Sequence, residues 1–549
     1  MRFDTKGLEA RLVRLSLPGL IWGTFFFAAS LTPSMIPRHF VLQGALSGFS
    51  FALGYGLGLL LERLWAYVQL PRPGAAFVRR ATLVTAAVCC VVAVIFLWLA
   101  TGWQNSVRAA LQLPLEASAS PLFVGIVAAI TFWLLRALAR LIGLSFRIIS
   151  RRLKQHMPER AANFLGVLLA ALLCLSVLDG LIFRLALSIA DSSYREFDAL
   201  IETDVARPID PLRTGSAASL LDWQHLGRAG REFIDAGPNR ESIAALAGGE
   251  ARQPIRVYAG LNSAATPRAR AALALAELKR VGAFDRPVLV IIMPTGTGWV
   301  DPAGIDTLEY MHRGNVASVA VQYSYLSSWL SLLIEPENGS ETAHALFDTV
   351  YGYWTTLPHD SRPKLYLSGL SLGALGSQRS ADMFKVIGDP FNGAVWSGTP
   401  FRSTMWRTLT AGRQPGSPAW LPMSGDGSTV RFTNQQNHLA IPGAKWGPMR
   451  IVMLQYASDP ITFFEPSMFW RRPEWLDPRG PDVSPALRWI PIVSALQMGV
   501  DITLSGMVPP GRGHVFAAAH YIDAWKEVTQ PPGWSDADTA RLKAAMAGR

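Results

Sequence analysis

Within the first 185 residues, five apolar stretches follow one another, at roughly 17–36, 41–61, 81–100, 121–142 and 161–183. Each is long enough to cross the hydrocarbon core of a bilayer as a helix. No other feature narrows the fold as much. Lipid offers no partner to backbone N–H and C=O groups, so a chain inside it must be helical or close into a barrel. Residues 1–185 are therefore expected to form a five-span α-helical transmembrane domain.

Charge sets the expected orientation. Residues 1–160 hold 17 Lys+Arg and 5 Asp+Glu, a net of +12, against +11 for the whole chain; the remaining 34 and 35 leave −1 for residues 161–549. Lys6, Arg11 and Arg14 precede the first stretch, and Arg63, Arg72, Arg79 and Arg80 separate the second from the third. Residues 136–160 form a third basic segment, whereas 37–40 and 101–120 carry little charge. Basic and near-neutral connections alternate as the positive-inside rule requires. The N-terminus is then cytoplasmic, and five spans place everything after residue 185 outside the cytoplasm. This predicts a multi-pass protein of the bacterial inner membrane. The sequence Ala28-Ala29-Ser30 could mark a cleaved signal peptide, but the apolar run continues through Pro33 and Ile36, which favours an uncleaved span. Asp179 falls near the outer end of the fifth stretch, where water can reach it. Gly44, Gly48, Gly54, Gly56 and Gly58 predict close packing of the second stretch on a neighbour.

The basic excess belongs to the apolar part, which makes the bilayer the expected partner and excludes nucleic acid, since no basic stripe with interleaved aromatics occurs elsewhere. Nothing in the sequence points to a protein partner. Cys89, Cys90 and Cys174 all lie in apolar runs and suit packing rather than disulfides or zinc. No metal or cofactor motif is present.

Residues 186–250 are polar and helical in pattern, a connector between two domains. From 251 to 549 the pattern changes. Short apolar runs at 255–259, 288–293, 317–323, 364–368, 393–396 and 449–456 alternate with helical segments. Strands separated by helices predict a mostly parallel sheet covered on both faces.

Within this domain KLYLSGLSLGALGSQ (364–378) reads as strand, sharp turn, helix, with Ser371 at the centre of a G-x-S-x-G motif. Small neighbours allow the strained backbone that exposes the serine hydroxyl. The next N–H and the dipole of the following helix then point at the same spot. This predicts a nucleophile, and with the sheet it defines an α/β-hydrolase architecture. A serine needs a base, and the base an acid to orient it. In this architecture the order is Ser, Asp or Glu, His. Asp459 directly follows a late strand. His514 lies in the glycine-rich loop 511–514, whereas the one later histidine, His520, lies in a helical pattern. A triad of Ser371, Asp459 and His514 is expected. The Leu372 N–H, with that of Thr295 or Gly296 from the loop PTGTGW (294–299), would form the oxyanion hole. That loop is no phosphate loop, because no Gly-Lys-Ser/Thr follows. Residues 460–500, rich in aromatics, read either as a lid or lipid-facing surface or as a satellite core on the sheet.

Together the segments DWQHLGRAGREF (222–233), PTGTGWVDP (294–302), VQYSYLSSW (321–329), RPKLYLSGLSLG (362–373), SDP (458–460) and PPGRGHVF (509–516) closely resemble a bacterial family of membrane-anchored α/β-hydrolases, which join an N-terminal multi-span domain to a C-terminal catalytic domain. Where that family often has Glu before the serine, this chain has Leu370. The resemblance implies the same Ser371–Asp459–His514 triad and no particular substrate. The expected activity is hydrolysis of acyl esters, of lipid or cell-envelope components given the tether to the membrane. Acyl transfer by the same triad and a non-catalytic membrane scaffold are the alternatives. A transporter is disfavoured because the spans are nearly free of charge and show no paired repeat.

Overall fold

The computed structural model describes residues 15–71, 74–175, 198, 205–326 and 336–547. Asp179 lies outside these, as does the end of the fifth predicted span. The chain divides into two compact units. The first comprises residues 1–187 together with 464–473 and 481–504; the second comprises 188–463, 474–480 and 505–549.

The first unit is helical: α1 (Leu17–Ser30), α2 (Phe40–Tyr67), α3 (Ala75–Ala110), α4 (Pro121–Leu153) and α5 (Glu159–Leu175), joined by the later helix Val493–Leu504. Among the described residues α2, α3 and α4 are long and apolar enough to cross a membrane. Their outward faces are apolar too, with Trp98, Leu122, Val84 and Leu134 all more than half exposed. Exposed apolar surface on that scale marks contact with something other than water. Glycines bring the helices together. A Cβ on Gly48 would collide with the Ala128 carbonyl of α4, and one on Gly54 with the Trp22 carbonyl of α1; Gly56 faces open space.

The first predicted span differs from expectation. α1 has 14 residues, about 21 Å at 1.5 Å per residue, short of the roughly 30 Å hydrocarbon core. Its apolar run does continue, but residues 31–39 leave the helix. Their polar groups converge on Asp501, in the helix Val493–Leu504. The Asp501 Oδ2 accepts from Ser34 Oγ and the Met35 N–H (3.0 Å). Its Oδ1 accepts from Arg38 Nε (2.9 Å) and pairs with the second guanidinium nitrogen at 2.8 Å. Both side chains are wholly buried. Arg38 also donates to Gln43 Oε1 and to the Gln497 carbonyl, and Gln497 Nε2 donates to the Thr32 carbonyl at 2.8 Å. Around this polar knot Val493 packs with Phe26 and Ala29.

The 460–500 segment is therefore shared. Phe463, Trp475 and Leu476 are buried in the second unit, while Met468 and Val493 are buried in the first.

The second unit holds a seven-stranded sheet, parallel throughout: β1 (Ile255–Ala259), β2 (Val288–Met293), β3 (Val316–Val321), β4 (Lys364–Leu370), β5 (Gly393–Ser397), β6 (Val430–Thr433) and β7 (Arg450–Leu454), in the order β1-β3-β2-β4-β5-β7-β6. Every residue of β1, β2, β3 and β5 is buried, as helices on both faces demand. Arg256 of β1 is buried but fully engaged. It bonds Glu309 through two nitrogens (2.8 and 2.7 Å), Asp306 (2.6 Å) and the Phe233 carbonyl (2.8 Å), tying two helices to the sheet edge.

Candidate active site

The carboxyl ends of β2, β4, β5 and β7 lie side by side, with Met293 beside Gly369 and Leu370 beside Ser397. Four loops leave the sheet there, which is where open parallel sheets place their ligands. Ser371 follows β4 at the middle of the sheet. Its φ of +57° is unusual for a residue with a side chain. The conformation is held because the Ser371 N–H continues the ladder to the Ser397 carbonyl at 3.0 Å. The helix Leu372–Ser380 begins at the next residue. The turn closes so tightly that a Cβ on Gly369 would strike Gly373, and one on Gly373 would strike the Met293 carbonyl of β2. The glycines of the motif are thus required by close approach on both sides of the serine.

Asp459 follows β7 and is fully buried. Its Oδ1 accepts from the Ile461 N–H at 2.9 Å and its Oδ2 from Thr462 Oγ1 at 3.1 Å. The same Oδ2 meets His514 Nδ1 at 2.7 Å. His514 sits on a loop held in two places. Its own N–H donates to the Ser505 carbonyl at 3.0 Å, and the neighbouring Gly513 N–H donates to Ser458 Oγ at 2.9 Å. The imidazole lies against the end of β5, where a Cβ on Gly398 would come within 2.5 Å of its Cε1. Gly398 directly follows Ser397, the residue whose carbonyl receives the Ser371 N–H. The other imidazole nitrogen, Nε2, is buried and has no hydrogen-bond partner among the described residues. With Nδ1 on a carboxylate, the neutral ring carries its proton there and leaves Nε2 as an acceptor. The Ser371–Nε2 hydrogen bond is absent in this state; such contacts commonly tighten only when substrate binds.

His520 is elsewhere occupied. It lies in the helix Ala518–Thr529, its Nδ1 is 2.6 Å from the Tyr456 hydroxyl, and burial pushes its pKa down to about 4.

The loop after β2 closes on itself through two hydrogen bonds. The Thr295 N–H donates to the Trp299 carbonyl at 3.0 Å, and the Gly298 N–H returns to the Thr295 carbonyl at 3.0 Å. The Thr295 N–H, one of the two expected donors, is thus engaged within its own loop.

Sequence reasoning missed Thr462, Ser458 and Gly398, which orient Asp459 and His514. It also missed a half-buried acid beneath the elbow. Asp301 caps the helix Pro302–Met311 through the Ala303 N–H (3.0 Å) and accepts from the Tyr521 hydroxyl (2.9 Å), which in turn lies 2.6 Å from Ser397 Oγ. A cavity of about 20 Å³ opens beside it, lined by Met293, Ser368 and Gly369. The capping pattern Asp-Pro signalled the helix start, but not the contact with Tyr521, 220 residues away.

Burial pushes Asp301 up to about 6, against the opposing pull of the Tyr521 hydrogen bond. An acid with a raised folded-state pKa keeps its proton longer than the unfolded chain does. Stability therefore falls as pH rises from about 4 to about 6, by about 3 kcal/mol for a shift of this size, and is flat above that range. Asp301→Asn keeps the helix cap and removes the titration. Its melting temperature should gain on wild type between pH 4 and pH 7; parallel melting profiles across that range would show that Asp301 titrates normally.

A wholly parallel sheet with a serine on a strained turn after its central strand, and an Asp after a later strand paired with a His on a C-terminal loop, defines an α/β-hydrolase. Residues 255–542 match the alpha/beta-hydrolase family, and residues 31–238 match that family's N-terminal region. The chain belongs to this family. No curated protein and no solved structure matches it.

Proposed function

We propose that this protein is a membrane-embedded serine hydrolase that cleaves acyl esters of lipid or cell-envelope components. The observation that carries the reading is the His514 imidazole, clamped at Nδ1 by a buried carboxylate and packed against Gly398 at the end of β5, with a buried Nε2 that has no partner among the described residues. Ser371 Oγ attacks the acyl carbonyl while His514 Nε2 takes its proton. Asp459 holds the ring and stabilises the imidazolium. The oxyanion forms against the Leu372 N–H, at the N-terminus of the helix Leu372–Ser380, on the side of the sheet where the loop after β2 leaves. His514 then returns the proton to the leaving alcohol. Water, activated by the same imidazole, releases the acid and regenerates the serine.

The membrane setting rests on α2, α3 and α4 and their apolar outward faces. Arg63 lies near the end of α2, and Arg79 and Arg80 near the start of α3. At the opposite ends of these helices, Arg38 precedes α2 and Ser106 lies near the end of α3. These opposite ends are the ones that meet the 481–504 segment, through Asp501 and through Ser484, which is 2.8 Å from Ser106. By the positive-inside rule the basic ends face the cytoplasm. This favours a catalytic domain on the extracytoplasmic side.

The test is reaction of the purified full chain with a fluorophosphonate, which traps an activated serine, followed by turnover of lipid esters in mixed micelles. Labelling of wild type, with ester cleavage blocked by the label, is the expected result. A folded protein that neither labels nor cleaves any ester would overturn the reading. Addition of a competing alcohol separates hydrolysis from acyl transfer, since only transfer yields a new ester.

A further inference from the structure

The helical unit contains a large apolar groove with one cation among its described residues. The groove holds about 1000 Å³ and lies between the start of α1, the second half of α2, the start of α3 and the middle of α4. That is at the upper end of the roughly 300–1000 Å³ usual for small-molecule sites. Leu61, Leu64, Trp65, Phe77 and Val78 supply its apolar wall. A second groove of about 240 Å³ shares Leu15 and Tyr55 with the first and runs on between Phe27, Phe51 and Phe132. The combined shape suits a ligand with a long hydrocarbon body.

The polar groups say what the head of that ligand is. Among the described residues Arg136 is the one cationic residue on the wall and Glu62 the one acidic residue. Glu62 is partly occupied, accepting from Ser16 Oγ. The Tyr55 hydroxyl accepts from the Ser16 N–H at 3.1 Å. Arg136 has no such partner. Its guanidinium lies 5.5 Å from the Tyr55 ring centroid and 5.6 Å from that of Trp133, and its Nε is buried without an acceptor. It has no ion pair with any described residue. Two aromatic faces offset only part of the cost of a cation whose Nε is buried without an acceptor. A guanidinium matches a phosphate in shape, since two parallel N–H groups meet two oxygens.

We propose that this groove binds a glycerophospholipid, with its phosphodiester on Arg136 and its acyl chains along the groove. The proposal rests on the helical unit lying in a membrane, and it assigns to that unit a lipid site distinct from Ser371, Asp459 and His514.

The experiment uses the full chain purified in non-ionic detergent. Thermal unfolding is followed with added dioleoylphosphatidylglycerol, or with dioleoylglycerol, which has the same chains and no phosphate. The phospholipid is expected to raise the melting temperature of wild type and of Arg136→Lys. Arg136→Leu is expected to bind it roughly tenfold more weakly, the loss of one charge-assisted contact. Equal shifts with the two lipids, or an unchanged response in Arg136→Leu, would overturn the site. If Arg136→Leu does not fold, Ala81→Trp serves instead, because it fills the wall and leaves the charge; an undiminished phospholipid shift in that variant is the overturning result. A shift seen only after removal of residues 1–14 would mean that the chain's own N-terminal segment fills the groove, and would also overturn it. Alkaline carbonate extraction of membranes tests the embedding separately. Release of wild type would sink the membrane reading itself, whereas a retained protein without phosphate selectivity sinks only the lipid site.

Discussion

Ser371→Ala is expected to abolish fluorophosphonate labelling and to lower ester turnover by on the order of 10⁴–10⁶-fold, while the protein still inserts and folds. The stability change should be small, because Ala at this position keeps the same strained φ and loses a hydroxyl that the fold does not use. His514→Ala should fall to a similar level. The Ser371→Ala/His514→Ala double variant should fall no further, since nucleophile and base act as one unit. Asp459→Asn is expected to cost about 10⁴-fold, because an amide can donate to Nδ1 and hold the ring in the wrong tautomer. Multiplying effects in the double variant would mean that Ser371 and His514 act independently. Full turnover in Ser371→Ala would remove the serine from the mechanism altogether.

The second large effect lies away from the chemistry. Asp501→Ala should lower the stability of the helical unit by about 3–5 kcal/mol, roughly 10 °C in melting temperature. The variant leaves Arg38 charged and buried, and also strips the Met35 N–H and Ser34 hydroxyl of their acceptor. The double replacement Arg38→Met/Asp501→Leu should recover much of the charge penalty, because no uncompensated ion remains. Thermal unfolding of the three variants decides the matter. A melting temperature for Asp501→Ala within about 2 °C of wild type would mean that the pair contributes nothing net. A chain started near residue 188 carries the same defect, since it keeps Asp501 and lacks every group that satisfies it.

What could be read from the sequence was local. The elbow was legible because its signature is a continuous strand, turn and helix, and the glycines it needs are neighbours of the serine. Asp459 and His514 were legible as candidates from strand order and loop composition, and the structure brings these two together. Thr462, Ser458 and Gly398 were not, because each acts only once β5 and β7 have aligned their ends. The Thr295 N–H is engaged by a carbonyl four residues on, which apolar patterning does not report. The misread first span has the same origin at longer range. Residues 31–36 are apolar enough to continue a membrane helix, but Pro33 and Pro37 break it, and the freed groups find their acceptor in the carboxylate of Asp501. The seven strands were mostly visible as apolar runs; Val430–Thr433 was not, being four residues long and placed by pairing with β7 alone.

The Arg38–Asp501 pair spans 463 residues of chain. A ribosome adding roughly 5–20 residues per second takes about 20–90 s to cover that interval. Throughout it, Arg38 has been made and its partner has not. The helical unit begins to leave the ribosome before the sheet-bearing unit and is completed only after the sheet has been made. Any stop, cleavage or stall before residue 501 leaves a membrane segment with an open cationic seat, a mark by which an incomplete copy differs from a complete one.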